Sequence, residues 1–97
     1  MNFNEKVYAL CRKIPKGKVS TYKIIAKKLN TRAYRAVGNA LNKNKDPENI
    51  PCYKIVNSSG ELGGYSKGLK EKVKRLRMDG VRVEKNKVDL KKYLHKF

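Results

Sequence analysis

Two side chains in this sequence carry a nucleophilic sulfur, and one of them, Cys52, has neighbours that chemistry could use. It stands between Pro51 and Tyr53, ahead of the β-branched pair Ile55-Val56 and downstream of a long basic stretch. A cysteine attacks as its thiolate, so such a role needs a pKa brought down from about 8.5 by cations, a helix dipole or a hydrogen-bonded base. The other reading is a small buried hydrophobe, a common state of a free cysteine. Composition leaves both open. Cys11, 41 positions earlier, follows the helical spacing of Phe3, Val7, Leu10 and Ile14 and reads as core. His95 is the only imidazole and adjoins neither cysteine, so no metal cage is expected. No Gly-rich phosphate loop ending in Lys-Ser or Lys-Thr is present, which removes the basis for nucleotide hydrolysis.

The basic stretch is the second clue. The 97 residues hold 25 Lys and Arg against 8 Asp and Glu, a formal charge of +17. From Lys6 to Lys45 there are twelve Lys or Arg and no acid. So one-sided a surface repels itself, and a polyanion, nucleic acid above all, is its natural partner; a merely solvated basic surface is the bland alternative. The chain is 39% hydrophobic with regular apolar spacing, so a folded basic domain is expected rather than a basic tail. Its length suits one domain over residues 1–97, with 81–97 as a basic C-terminal extension. No apolar run approaches the ~20 residues of a spanning helix, and the start lacks a secretory layout. An intracellular protein with no membrane partner is expected, cytoplasmic or, in a eukaryote, nuclear.

These groups need elements to position them. Phe3, Val7, Leu10, Cys11 and Ile14 follow the spacing of one helical face, with Asn4 available as a cap before the run ends at Pro15. Pro15-Lys16-Gly17-Lys18 reads as a turn into an extended Val19-Ser20, and Thr21 offers an N-cap to a second helix running to about Leu29. A third helix has Ala33, Ala36, Val37, Ala40 and Leu41 on one face and Arg32, Arg35, Asn39 and Asn42 on the other. Two short helices joined by a tight turn outline a helix-turn-helix. Ile50 to Tyr53 reads as a turn into a strand over Lys54–Val56, since Pro51 forbids a central strand. Glu61-Leu62 could pair back, and Gly63 to Gly68 reads as a loop suited to ligand approach or to a bare surface. Leu69, Val73 and Leu76 mark the apolar face of a last main helix ending near Gly80. The tail could add a strand and a short helix or partly fray. The fold class expected is mostly α with a small β component, a winged helix-turn-helix-like single domain.

Four separated motifs, in order and in register, carry a resemblance. Ile14-Pro15-Lys16-Gly17-Lys18-Val19-Ser20-Thr21-Tyr22, Arg35-Ala36-Val37-Gly38-Asn39-Ala40, Ile50-Pro51-Cys52 with Asn44 before it, and Gly60 through Leu69 resemble the C-terminal domain of O6-alkylguanine-DNA alkyltransferases. The likeness runs from about Phe3 to Val81. The N-terminal domain of most full-length members is expected to be absent, as in the short alkyltransferase-like proteins. The resemblance implies a protein, expected to be monomeric, that binds the minor groove of double-stranded DNA, flips an alkylated guanine and accepts its alkyl group on Cys52 in one irreversible turnover. It implies that Arg35 fills the gap left by the base, that Tyr22 crowds the phosphate, and that Asn44 is the hinge between recognition helix and active-site loop. Ala36, Gly38 and Asn39 would lie on the DNA, and Tyr65 and Ser66 beside the guanine oxygen. The carbonyls of Cys52 and Ile55 would accept from the guanine amino group. No cofactor is implied, because the lesion is itself the donor. The reading further requires a cavity large enough for a purine in front of the sulfur.

The chain departs from the family in one place that matters. Where the family has Pro-Cys-His-Arg, it has Pro51-Cys52-Tyr53-Lys54, and Asp79 stands where the family has a buried glutamate. A tyrosine, with pKa about 10, is a poor base near neutrality. Tyr53 could instead order a water, Asp79 could take the proton through it, or the positive field could stabilise the thiolate. Two other functions remain: an alkyltransferase-like protein that binds and flags the lesion without reacting, and a winged-helix regulator with an inert Cys52.

Overall fold

The computed structural model describes residues 1–97, and its first helix, α1 (Phe3–Arg12), begins earlier than the expected cap at Asn4. The cap is Asn2, whose extended backbone (φ −78°, ψ 176°) lets its side chain accept from the Glu5 N–H at 2.8 Å. Asn4 is already inside the first turn, because Phe3 is helical and packs toward the core. Val7 and Cys11 are the fully buried positions of α1.

The chain then turns at Gly17 (φ 82°) and enters β1 (Ser20–Thr21). Thr21 caps α2 (Tyr22–Lys28) as its type predicts, accepting from the Ile24 N–H at 3.1 Å. Asn30 (φ 55°) turns the chain into α3 (Tyr34–Asn42). Ala33, expected on the apolar face of that helix, precedes it as an exposed N-cap. Val37, Ala40 and Leu41 are buried, while Arg35, Asn39 and Asn42 face outward. Helices α2 and α3 form the helix-turn-helix.

Cys52–Lys54 form a single 3-10 turn, and β2 (Ile55–Val56) pairs in parallel with β1, Ser20 opposite Ile55 and Thr21 opposite Val56. The expected strand is thus one residue shorter. Glu61 does pair back, its carbonyl accepting from Asn57 N at 2.8 Å, and it also bridges to Lys87 in the tail. The last main helix is α4 (Leu69–Met78), followed by Gly80 at φ 90°. Its buried row differs from expectation. Leu69 is 41% exposed, and Lys72 with Leu76 takes the inward positions.

The tail is tied down along most of its length. Val88 N donates to Gly60 O at 2.9 Å, α5 (Leu90–Tyr93) follows, and Val19 exchanges two backbone bonds with Tyr93 and His95, each 2.8 Å. Val81, Val83 and Val88 are buried with Val19, Val56, Leu62 and Leu76 in one apolar cluster. A second, larger cluster joins α1, α2 and α3 to Ile50, Cys52 and Ile55. The 3-10 turn and β2 lie at the seam: Cys52 belongs to the larger cluster, and Tyr53 and Val56 to the smaller. No helix is long and apolar enough to cross a membrane.

Candidate active site

Pro51 follows a turn over residues 47–50, and the 3-10 turn after it brings Cys52 into the core, where the residue is 4% exposed. Its sulfur has one defined polar partner. Asn44, buried at the end of the helix-turn-helix, donates from Nδ2 to Sγ at 3.3 Å and to the Ile50 carbonyl at 2.9 Å, while its Oδ1 accepts from Asp46 N at 2.9 Å. One side chain thereby joins the segment after α3 to the turn that holds the sulfur, and sets a donor where a thiolate would need one.

Tyr65 packs against the same cluster, and its hydroxyl is buried with no hydrogen-bond partner. Such unpartnered groups are few in native proteins and call for an explanation. The phenol lies near enough to Cys52 for the two to influence one another. Burial, and then the sulfur's charge, push its pKa above the ordinary value, so it is a protonated donor at neutral pH.

Tyr53 points elsewhere. Its pKa is also raised, by burial first and then by the Asp79 carboxylate that its hydroxyl approaches. A phenol held protonated cannot take the thiol proton. Asp79 is itself occupied: Oδ2 accepts from the Gly17 N–H at 2.8 Å and pairs with Lys54 Nζ at 3.4 Å. That ammonium also donates to the carbonyls of Ile14 and Pro15, each at 3.1 Å. The pair is therefore a tether between the 3-10 turn, the end of α4 and the turn ahead of the helix-turn-helix. His95, the sole imidazole, stacks edge-on against Phe97 with ring centroids 4.6 Å apart.

The basic face lies on the helix-turn-helix. Arg35 is exposed on the first turn of α3, with Asn39 beside it and Gly38 opening onto empty space; a Cβ built at Gly38 would meet nothing within 4 Å. Ala36 is half-buried. A cleft lined by Lys23, Lys27, Arg32 and Tyr34 runs alongside. Tyr22 is half-buried at the start of α2, its ring against the larger core cluster and against Gly63, where a Cβ would come within 3.4 Å of it. The glycine is required here by its left-handed backbone (φ 69°) and by Asn57 Oδ1, which a Cβ would meet at 3.1 Å. Ser66 is exposed in the Gly63–Gly68 loop.

The expected purine-sized cavity in front of the sulfur is not open. None of the five principal surface cavities is lined by Cys52; one of about 500 Å³ is lined by Tyr53 and Asp79 together with Glu48 and residues of α4. The two carbonyls expected to face a guanine amino group are each engaged inside the protein, Cys52 O by Ile55 N and Ile55 O by Lys72 Nζ. A carbonyl has a second lone pair, so engagement does not remove an acceptor.

Residues 2–81 match the family model described as the 6-O-methylguanine DNA methyltransferase, DNA binding domain. The chain belongs to this family. A bifunctional methyltransferase/endonuclease of Picrophilus torridus is 49% identical over 88 residues, which are 90% of this chain and 30% of that protein. A methylated-DNA–protein-cysteine methyltransferase of Sulfolobus acidocaldarius is 48% identical over 83 residues, 86% of this chain and 52% of that one. The chain thus spans about half or less of these relatives. Among solved structures, Atl1 of S. pombe in complex with damaged DNA containing O6-carboxymethylguanine superposes with a TM-score of 0.88 at 31% identity, covering 98% of this chain and 95% of that one. The O6-methylguanine-DNA methyltransferase of Pyrococcus kodakaraensis gives 0.76 at 40% identity, covering 84% of this chain and 47% of that one.

Within the 6-O-methylguanine DNA methyltransferase family frame, Cys52, Asn44 and Tyr65 come together in the structure, while Tyr53 and Asp79 form a neighbouring group tied to Lys54. Sequence reading missed Lys72, the largest fully buried side chain, which donates to carbonyls on both sides of the site. The available clue was its place three residues after Leu69 and four before Leu76, on the inward stripe of α4.

Proposed function

We propose that this protein recognises O6-alkylguanine in double-stranded DNA and takes the alkyl group onto Cys52. The observation that carries the reading is the pairing of one sulfur with an amide donor from Asn44 and an unpartnered phenol from Tyr65. The thiolate displaces guanine at the alkyl carbon: an S–C bond forms, the C–O6 bond breaks, and its electron pair passes to the purine. The purine ends with the proton the thiol gave up, so alkyl group and proton change places. Tyr65 is the donor suited to the oxygen as it gains charge. Arg35 is suited to the space the base leaves, which offsets part of a flipping cost of a few kcal/mol. Asn44 is the donor placed to hydrogen-bond the sulfur as it attacks, since the protonated Tyr53 and the tethered Asp79 offer no base.

Because the sulfur is covered, base entry requires the Tyr65–Gly68 part of the loop to swing outward. A second reading, lesion binding without transfer, is favoured by Tyr53 in the family's histidine position and by the near-complete overlap with Atl1. The two are separated by incubating the protein with a duplex holding one O6-methylguanine, digesting the DNA and measuring guanine restored at that position. Restoration stoichiometric with protein, and lost in Cys52→Ala, supports transfer; lesion-selective binding with no restored guanine supports the second reading. Neither result would indicate a DNA-binding regulator.

A further inference from the structure

Lys72 is buried at 0% exposure without an acid beside it. Its ammonium donates to Ile55 O at 2.7 Å, to Leu62 O, and to Gly64 O at 3.1 Å, which uses all three of its protons. Ile55 is in the strand that leaves the Cys52 turn, while Leu62 and Gly64 lead into the loop that carries Tyr65. Enclosing an ammonium without a carboxylate is costly, and a methionine of similar length would fill the volume without that cost. The loop has one packed end and one free end. At Gly63 a Cβ would meet Asn57 Oδ1 at 3.1 Å and the Tyr22 ring at 3.4 Å, whereas at Gly64 and Gly68 it would meet nothing within 4 Å.

We propose that Lys72 is a positioning residue for base capture: it clamps Leu62 and Gly64 to Ile55, confines opening of the loop to Tyr65–Gly68, and aims the Ile55 carbonyl into the space a flipped guanine would occupy. The proposal rests on the lesion-binding reading above. It assigns Lys72 no contact with substrate. Anchored in this way, Tyr65 swings out to admit a purine and returns to the same place over it.

The clamp is sensitive to pH. Burial lowers the Lys72 pKa from 10.5 to about 8, opposed by the charge of Cys52, the titratable group acting on it from the 3-10 turn. β2 and the 62–64 segment contribute carbonyls, and its helix neighbours Glu71 and Arg75 are paired with each other at 3.1 Å. Loss of the proton leaves two donors for three carbonyls. Between pH 8 and 10.5 the unfolded chain keeps this proton and the folded chain does not, so the group's contribution to stability rises with pH across that window. A fall in lesion recognition there reports the clamp, not unfolding.

The test is made in Cys52→Ala protein, which cannot consume the lesion and in which the form with Lys72 intact is the wild-type reference; it compares affinity for an O6-methylguanine duplex with that for the same undamaged duplex, by fluorescence anisotropy, from about one unit below to one unit above pH 8. The wild-type preference should decline across the range, while Lys72→Met should lose about tenfold of the preference at the lower end, with undamaged-DNA affinity little changed and no further decline with pH. Lys72→Arg, which keeps charge and donors, should recover part of the loss. Should Lys72→Met fail to fold, the wild-type profile decides together with amide exchange, in which protection at 65–68 must fall over the same range. A folded Lys72→Met with wild-type preference, or a flat wild-type profile with unchanged loop protection, overturns the proposal while leaving the lesion reading intact. A wild-type protein with no preference at any pH overturns both.

Discussion

Around the Cys52 sulfur stand an amide, a phenol and, one layer out, two enclosed ammonium groups: Lys72, which spends its protons on main-chain carbonyls, and Lys54, which divides its own between two carbonyls and the Asp79 carboxylate. The site is built from donors. Tyr65→Phe removes the one donor with no other partner, and single-turnover transfer should slow by about tenfold to a hundredfold while lesion affinity changes little. A rate equal to wild type would remove Tyr65 from the reaction. The two thiols should differ in accessibility to chemistry as well. Burial, reinforced by the charge of Cys52, pushes Cys11 up to about 12, so it should resist alkylation until the protein unfolds, which peptide mapping after iodoacetamide would reveal. Cys52, Asn44 and Tyr65 were legible because each sits in a motif with neighbours in register. Lys72 was not, since a lysine between apolar positions reads as a solvated face until its carbonyl partners, 8 and 17 residues away, are brought to it by the fold.

At the scale of elements, α3 is shaped by what it does not touch. Gly38 lies mid-helix with open space above it, where an alanine would ordinarily stabilise the helix by about 1 kcal/mol. Gly38→Ala should therefore raise the melting temperature and yet weaken DNA binding, because the added methyl occupies the face that approaches the duplex. A gain in both would show that this face stays clear of DNA. Arg35→Ala should reduce discrimination for the damaged base more than affinity for undamaged duplex, measured with the paired probes; an equal loss on both would reduce Arg35 to a phosphate contact. Local chemistry made Thr21 and Gly80 readable as helix ends, since cap and terminator are decided within one turn. The cap of α1 was not readable in the same way: Asn4 was expected and Asn2 serves, because only the inward packing of Phe3 fixes the register. The tail was ambiguous for a related reason: its valines are too few to form a core alone, and they become buried only against Val19, Val56 and Leu76.

For the whole molecule, charge and cohesion are divided between different parts of the chain. The acid-free span from Lys6 to Lys45 contains the helix-turn-helix, and most of the acids follow it, where Asp79 and Glu71 have cationic partners. With a net charge of +17, binding to undamaged duplex should fall steeply with salt, roughly a hundredfold between about 50 and 200 mM if about four phosphates are contacted. A shallow dependence would mean that the basic face is not the binding face. The overall charge was plain in composition, and its consequence for partner class followed from electrostatics. The covered sulfur was not, because closure depends on where Tyr65 comes to rest. The central claim is that this sulfur, lacking an imidazole, still receives the alkyl group. Intact-mass spectrometry of the protein after exposure to excess O6-methylguanine duplex tests it most directly: a single gain of about 14 Da, mapped to the peptide containing Cys52, is the predicted result. An unchanged mass from protein that demonstrably binds the lesion would contradict it.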